Sequence, residues 1–368
     1  MRMVFRWFGE GNDSISLSQV KQIPGVEGIV WALHNVPVGE IWPLDRMQEI
    51  KKQANKYNLH LDVVESVNIH ETIKLGTPER DHYINNYLET IKNLATVGVK
   101  VICYNFMPVF DWVRTDLFGK LSDDSTALFY EKAKVDDMDP MELVEKIASN
   151  PDYTMPGWEP ERLETLKELF HAYHEVSTTD LMNNLAYFLE RVIPVCEAYD
   201  IKLAIHPDDP PWEIFGLPRI VTTQERLREI INLVPSHCNG ITLCSGALGV
   251  RADNDIVSMI HEFADHIHFA HIRNVKLFDN GDFIETSHMT RDGSIAIDDI
   301  VKAYNQISFK GYVRPDHGRH IWEEQCRPGY GLYDRALGIM YLSGLWDAYQ
   351  SMKRRDETHV TDTQQFKG

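Results

Sequence analysis

The sequence predicts an α/β fold, a TIM barrel of eight strand–helix units with a long, mostly helical insertion after the fourth strand. Short runs rich in valine, isoleucine and aromatic residues alternate with helix-length segments, a pattern typical of a parallel sheet. Four such runs precede a charged segment at about 110–175, and four follow it. The main alternative is a doubly wound open sheet, but no run is followed by a glycine-rich loop with dinucleotide-binding spacing.

The first half of the barrel is predicted from strands at residues 3–9, 28–33, 59–66 and 99–108. The first three lead into the helix-length segments SLSQVKQI, LDRMQEIKKQANKY and ERDHYINNYLETIKNLATVG. The fourth leads into the insertion, which prolines and a glycine interrupt. Insertions of this length in compact domains often serve as lids or oligomer contacts. The sequence leaves open which of these it is, or whether it has no function.

The second half is predicted from strands at residues 201–209, 240–246, 267–275 and 311–319. An amphipathic segment precedes each strand, beginning with LMNNLAYFLERVIPVCEAYD. A final helix, YDRALGIMYLSGLWDAYQSM, follows the eighth strand. We therefore predict one barrel domain over residues 1–353, with the insertion at about 110–175, and a frayed polar C-terminal tail over 354–368.

The composition excludes several classes of partner. Lysine and arginine total 37 against 55 aspartates and glutamates, so the formal net charge is −18. Without a basic stripe, this charge argues against nucleic acid, but not against a small anionic substrate. No apolar run approaches the roughly 20 residues of a membrane span, and the N-terminus turns polar too early for a secretory signal. Five widely spaced cysteines indicate reduced thiols, so we expect a cytoplasmic protein.

Metal-binding side chains end the last four predicted strands. They are His206 in AIHPDD, Cys244 in ITLCSG, His271 in HFAHIRN and Asp316 in RPDHGR. The carboxyl ends of barrel strands converge on one mouth, where catalysis occurs. Two imidazoles, a thiolate and a carboxylate favour one Mn, Fe or Zn ion over Mg or Ca. Each residue alone has an ordinary alternative, such as a buried apolar cysteine or a hydrogen-bonded histidine.

Strand alternation selects between two histidines of the seventh strand. Side chains alternate between the faces of a strand with period two. His271 therefore shares one face with Ile267 and Phe269, whereas His268 points towards the helices. We predict that His271 is the ligand and that His268 is structural.

Residues near the predicted metal site indicate acid–base chemistry on a hydroxylated substrate. His317 can exchange a proton, and the glycine-flanked Tyr330 can donate one, although Tyr330 can equally cap the last helix. Arginine side chains can hold a carboxylate bidentately, or form ordinary salt bridges; the candidates are Arg273, Arg314 and Arg319. Further predicted substrate contacts, at the ends of the first four strands, are Arg6, Trp7, His34, Asn35, Glu65 and Asn105, with His70 less firmly placed.

Longer motifs resemble the D-mannonate dehydratase family over nearly the whole chain. They are FRWFGEGNDSISLSQVKQIPGVEGIVWALHNVPVGEIW, ICYNFMPVFDW, LAIHPDDPPW, ITLCSGALG, HIRNV, VRPDHGR and PGYGLYDRALGIMYLSGLW. The resemblance implies a xylose-isomerase-like TIM barrel that dehydrates D-mannonate to 2-keto-3-deoxy-D-gluconate and water in glucuronate catabolism. It also implies one Mn²⁺ or Fe²⁺ per active site, without choosing between them.

The resemblance assigns roles to the residues that the strand ends point to. It implies that the metal ligands are His206, Cys244, His271 and Asp316 and that the catalytic residues are His317 and Tyr330. We expect removal of the C2 proton and loss of the C3 hydroxyl. Which of His317 and Tyr330 is the base and which is the acid stays open. The insertion and the apolar final helix favour a homo-oligomer, with a dimer preferred.

Three other functions compete with the dehydratase. A metal-dependent sugar or sugar-acid isomerase or epimerase shares the barrel and the proton abstraction, but releases no water. A carbohydrate-binding or scaffold barrel needs no metal at its mouth. A zinc endonuclease conflicts with the acidic charge and with a ligand set for one metal ion.

Overall fold

The computed structural model of this protein describes residues 1–136 and 163–365. Its strands, in chain order, are β1 (Arg2–Arg6), β2 (Val26–Trp31), β3 (His60–Glu65), β4 (Val101–Tyr104), β5 (Asp116–Lys120), β6 (Thr126–Tyr130), β7 (Lys202–Ile205), β8 (Asn239–Cys244), β9 (Ile267–Ile272), β10 (Val275–Leu277), β11 (Phe283–Glu285) and β12 (Tyr312–Pro315). Eight of them close into a barrel in the order β1-β12-β9-β8-β7-β4-β3-β2. All neighbouring barrel strands are parallel, so the predicted eight-stranded barrel is confirmed.

Apolar side chains on both faces explain why these segments form a buried parallel sheet. Inside the barrel, Val30 pairs with Val63, and Val63 pairs with Val101, so these valines form one layer. The whole inner cluster comprises Val4, Val30, Val63, Val101, Cys103, Ala204, Phe269 and Tyr312. The outward-facing strand residues pack against the helices in a second, larger cluster. The barrel is therefore a filled core that leaves its carboxyl-terminal end as the place for a site.

Helices surround the barrel between successive strands. The α-helices are Leu17–Gln22, Leu44–Asn55, Glu71–Leu75, Arg80–Val97, Lys132–Asp136, Leu163–Tyr173, Thr178–Tyr199, Gln224–Leu233, Ser245–Leu248, Ile256–Glu262, Ile297–Gln306 and Leu332–Gln365, with a 3₁₀ turn at Thr290–Asp292. Local sequence fixes their ends: Ser177 and Asp180, for example, form a capping box at the start of Thr178–Tyr199. Within the described ranges, we find no helix long and apolar enough to span a membrane.

The insertion contributes a β-hairpin that the sequence analysis did not predict. Strands β5 and β6 pair with β11 and β10 in an antiparallel sheet of order β10-β11-β6-β5. Helices Lys132–Asp136 and Leu163–Tyr173 also belong to the insertion, and residues 137–162 lie outside the described part. The sequence pattern does not reveal the hairpin for two reasons. Its strands are short, and β6 pairs with β11, at Phe283 and Ile284, which lie far along the chain.

The final helix extends past the predicted domain boundary. It continues through Gln365, so the predicted boundary between residues 353 and 354 lies inside a helix. No glycine or proline interrupts the sequence from Leu345 to Gln365, and its lysine, arginine, glutamate and glutamine residues have good helix propensity. Fraying of this tail stays a prediction.

Candidate active site

Four neighbouring strands bring the four predicted metal ligands together. Cys244 ends β8 and pairs with His271 of β9. His206 directly follows β7, and Asp316 directly follows β12. Because β7, β8, β9 and β12 are adjacent in the barrel, their carboxyl ends deliver these side chains to one region of the mouth.

The distances between the ligand atoms fit one metal ion. His206 Nε2 lies 3.1 Å from His271 Nδ1, and His206, Cys244 and His271 each offer a ligand atom within 4.8 Å of the other two. Asp316 completes the group, with Oδ2 3.5 Å from Cys244 Sγ and Oδ1 3.8 Å from His271 Nδ1. An ion at about 2.0–2.3 Å from each ligand needs ligand atoms roughly 3–4 Å apart.

The protonation chemistry of the ligands also fits a cation. Burial, and then the charge of Arg314, lower the pKa of His271 to about 4, so its imidazole keeps a lone pair. Burial, and then Asp316, raise the pKa of the Cys244 thiol well above its usual range. A bound cation stabilises the thiolate against both effects. A second candidate group, Glu65, Cys103 and His271, shares His271 with the first.

Two buried arginines orient the Asp316 carboxylate. Arg314 Nη1 lies 2.9 Å from Oδ1, and Arg273 Nη1 lies 3.0 Å from Oδ2. Arg314 also binds Glu65 through two nitrogens, at 3.0 and 2.7 Å, and donates to His271 Nε2 at 3.1 Å. Both arginines are thus already paired with carboxylates of the chain. These contacts favour orienting the metal ligands over binding the substrate carboxylate.

His317 and Tyr330, the predicted catalytic pair, contact each other beside the ligands. His317 Nε2 lies 3.0 Å from the Tyr330 hydroxyl. Gly329, with φ of 77°, allows the approach, because a Cβ there would lie 2.9 Å from Leu128 Cδ1 and 3.3 Å from His317. Burial raises the pKa of the Tyr330 phenol. The Tyr330 carbonyl accepts a hydrogen bond from Arg335 in the final helix, whereas the first amides of that helix donate to Glu324.

The remaining predicted contacts separate into two groups. Arg6 is buried beside His34, with Nη2 3.2 Å from His34 Nε2, and its guanidinium lies over the Phe8 ring. Arg6 makes no ion pair with any residue of the described ranges. Three others have partners of their own: Arg319 pairs with Asp123 and Asp334, Trp7 donates to the Ile15 carbonyl, and Asn105 donates to Asp111.

Comparisons with known proteins agree with this site. The family model described as D-mannonate dehydratase (UxuA) matches residues 1–356. The chain belongs to the D-mannonate dehydratase family. It is 69% identical to mannonate dehydratase 1 of Halalkalibacterium halodurans over 354 residues, which is 96% of this chain and 98% of that protein. The crystal structure of mannonate dehydratase from Streptococcus suis serotype 2 superimposes with a TM-score of 0.87 and 41% identity, over 96% of both chains.

Membership of the D-mannonate dehydratase family confirms the predicted enzyme class, a hydro-lyase that dehydrates D-mannonate. For the competing isomerase, the comparisons show only a similar fold. A xylose isomerase domain protein from Planctomyces limnophilus superimposes with a TM-score of 0.54 over 95% of this chain and 99% of that chain, at 11% identity. That likeness confirms the predicted xylose-isomerase-like barrel and carries no information on the reaction.

In this dehydratase, three buried charged residues beside His317 were not predicted from the sequence. They are Arg114, Asp209 and Glu285. Asp209 was detectable, because it follows His206 in the HPDD motif at a strand end. No sequence pattern pointed to Arg114 or Glu285, because Glu285 ends β11 of the unpredicted antiparallel sheet and Arg114 lies just before β5 of that sheet.

Proposed function

We propose that this chain dehydrates D-mannonate with one divalent ion, Mn²⁺ or Fe²⁺, held by His206, Cys244, His271 and Asp316, while His317 and Tyr330 move the protons. The observation that carries the proposal is the closeness of this ligand group to the hydrogen-bonded His317–Tyr330 pair. When bound, the ion supplies a Lewis acid that polarises the substrate carboxylate and acidifies the neighbouring C–H.

The substrate carboxylate binds at Arg6. Arg273 and Arg314 already neutralise carboxylates of the chain, whereas the buried Arg6 has carbonyl and imidazole partners. A buried guanidinium binds an incoming carboxylate strongly, because the pair forms away from water. The exposed imidazole of His34 lies next to the guanidinium and contributes a polar contact.

His317 is the base and Tyr330 is the acid. His317 Nε2 removes the C2 proton, and the electrons of the C2–H bond form a C2–C3 double bond. The C3–O bond breaks, and the leaving hydroxyl takes the Tyr330 proton and departs as water. The enol then becomes the 2-keto group as C3 takes up the proton held by His317 and the C2 hydroxyl gives its proton to the Tyr330 phenolate, which restores both residues. Burial raises the pKa of the Tyr330 phenol, so the hydroxyl is protonated at neutral pH and has a proton to donate.

The chain acts as a homo-oligomer, preferentially a dimer. One exposed apolar patch supports this assembly: Tyr333, Leu337 and Met340 lie one turn apart on one face of the final helix, and Trp322 contacts Tyr333. A cytoplasmic location is supported by the five cysteines, all of which are free thiols.

The proposed function is tested by incubating the purified chain with D-mannonate and Mn²⁺ or Fe²⁺ and identifying the product. A 2-keto-3-deoxy acid, lighter than the substrate by one water, is expected, whereas an isomerase or epimerase would leave the mass unchanged. His317→Asn and Tyr330→Phe are each expected to reduce kcat by at least about a hundredfold while the bound metal remains. His268→Asn is the matched control, because His268 faces the helices. Full activity of His317→Asn would remove His317 from the mechanism.

A further inference from the structure

A buried network of four charged side chains surrounds the Nδ1 side of His317. Arg114 binds both oxygens of Asp209 at 2.9 Å and Glu285 Oε1 at 2.9 Å. Arg273 binds Asp209 at 2.8 Å and Glu285 at 3.3 Å. None of these residues is more than 2% exposed. Isolated buried charges are expensive, and this network balances two guanidinium groups against two carboxylates.

The network ends on the imidazole of His317. Glu285 Oε1 lies 2.8 Å from His317 Nδ1, on the opposite side of the ring from Tyr330. We propose that Glu285 is a positioning residue, which accepts the Nδ1 proton of His317 and thereby leaves Nε2 unprotonated towards Tyr330 and the substrate. This inference rests on the proposed function, in which His317 Nε2 is the base.

Hydrogen-bond chemistry selects this tautomer over the alternative. Arg273 Nη1 also lies 2.9 Å from His317 Nδ1, and it can donate only to an unprotonated nitrogen. However, Arg273 Nη1 also lies within ion-pair distance of two carboxylates, Asp316 at 3.0 Å and Glu285 at 3.3 Å, which balance its charge without a hydrogen bond to Nδ1. An unprotonated Nδ1 would direct its lone pair at the anionic oxygen of Glu285 only 2.8 Å away. The Nδ1–H tautomer removes that repulsion.

The insertion helps to hold Glu285 in place. Glu285 is the last residue of β11, which pairs with β6 from the insertion. Arg114, just before β5, supplies a positive charge 2.9 Å from Glu285 Oε1 and offsets the desolvation of that carboxylate. The four-stranded sheet therefore directs Glu285 at His317, and Arg114 contacts the same oxygen of that carboxylate. The described part of the insertion contributes to the geometry of the active site through Arg114.

Glu285→Gln tests the proposal, because it preserves the size of the side chain but removes the anionic acceptor. Its amide can donate to Nδ1 and stabilise the wrong tautomer, so kcat is expected to fall at least about tenfold. KM is expected to stay within about twofold, because Glu285 does not touch the substrate. Glu285→Asp keeps the carboxylate and is expected to recover part of the lost kcat. Glu71→Gln is the matched control, because it makes the same substitution at a carboxylate that contacts Lys74 and Tyr173 rather than His317.

The outcomes distinguish this inference from the proposed function. If His317→Asn is inactive while Glu285→Gln keeps a kcat within twofold of wild type, the positioning role is wrong and the proposed base stands. If His317→Asn is fully active, the proposed base itself is wrong. Loss of bound metal in Glu285→Gln would also overturn the positioning role, because the effect would then arise at the ligands. If Glu285→Gln does not fold, Arg114→Lys provides the test: reduced kcat at unchanged KM supports the proposal, and unchanged kcat contradicts it.

Discussion

His206 Nε2 and His271 Nδ1 lie 3.1 Å apart although 65 residues separate them in the sequence. The barrel explains this contact, because β7 and β9 flank β8 and all three strands end at the same mouth. Cys244, the last residue of β8, falls between the two histidines. Two imidazoles held this close, with a thiol beside them, are a candidate group of ligands for one cation.

The first prediction concerns the metal ion. Treatment with a chelator is expected to abolish dehydration and to lower Tm, and added Mn²⁺ or Fe²⁺ is expected to restore both. A ligand present at a hundred times its Kd stabilises the folded state by about 2.7 kcal/mol. Cys244→Ser is expected to reduce the Tm increase on metal addition, because a hydroxyl is a much poorer ligand than a thiolate. The measurement is thermal unfolding with and without metal.

Cys196→Ser is the control for that experiment. Cys196 is fully buried in the helix Thr178–Tyr199, so its replacement lowers stability without touching the ligands. Its metal-dependent Tm increase should equal that of the wild type. An undiminished increase in Cys244→Ser would exclude the thiol from the metal site.

A second prediction concerns Arg6 as the carboxylate-binding residue. Arg6→Gln is expected to raise KM for D-mannonate at least about tenfold, equivalent to roughly 1.4 kcal/mol of lost binding, with a smaller effect on kcat. Arg2→Gln is a suitable control, because Arg2 lies at the other end of the same strand and pairs with Glu27 and Asp62. A KM that changes equally in both variants would place the carboxylate elsewhere.

The barrel and the convergence of the four candidate ligands were predictable from the sequence for the same physical reason. Strands buried on both faces appear in the sequence as apolar runs such as GIVWAL. Their carboxyl ends converge in the barrel, however far apart the strands are in the sequence. Exact ends were less predictable: β12 stops at Pro315, so Asp316 and His317 follow the strand. Alternation held for Phe269 of the inner cluster and His271, whose rings contact each other. It did not hold for Ile267, which belongs to the larger cluster and lies at a register shift between β8 and β9.

The contacts of charged residues were beyond what the sequence reveals. A short antiparallel strand such as β11, three residues long, has no periodicity from which to predict it, and its partner is distant in the chain. Glu285 and Arg114 were missed for that reason. Arg273 and Arg314 were noticed as candidate anion binders, but only the folded chain shows that they already pair with Asp209, Glu65 and Asp316.

A third prediction uses the buried, structural His268. Its ring packs over Gly240 and beside His237, and its Nε2 is buried without a hydrogen-bond partner in the described ranges. Burial, and then the nearby His237, lower the pKa of His268 to about 3, with Lys202 and His266 acting in the same direction. The unfolded chain, with a histidine pKa of about 6.5, therefore binds a proton that the folded chain rejects between these two pH values.

His268 should consequently destabilise the fold as the pH falls below about 6.5. Between pH 6.5 and pH 5, the unfolding free energy of the wild type is expected to fall by up to about 2 kcal/mol more than that of His268→Gln. Denaturant unfolding of both proteins at several pH values measures this difference. The baseline is their difference in stability at pH 8, where His268 is neutral in both the folded and the unfolded chain. Identical pH slopes for the two proteins would contradict the prediction.

The last prediction concerns the apolar face of the final helix. Leu337 and Met340 are 47% and 46% exposed, and Trp322 is 69% exposed beside them. Contiguous exposed apolar side chains of this size are usually covered in an assembly. Leu337→Glu inserts a charge into the centre of this patch, so it is expected to convert the proposed dimer into a monomer, as measured by light scattering coupled to size-exclusion chromatography. Met352→Glu changes a similarly exposed residue further along the same helix and should leave the proposed dimer intact. A dimer that survives Leu337→Glu would show that this face is not the interface.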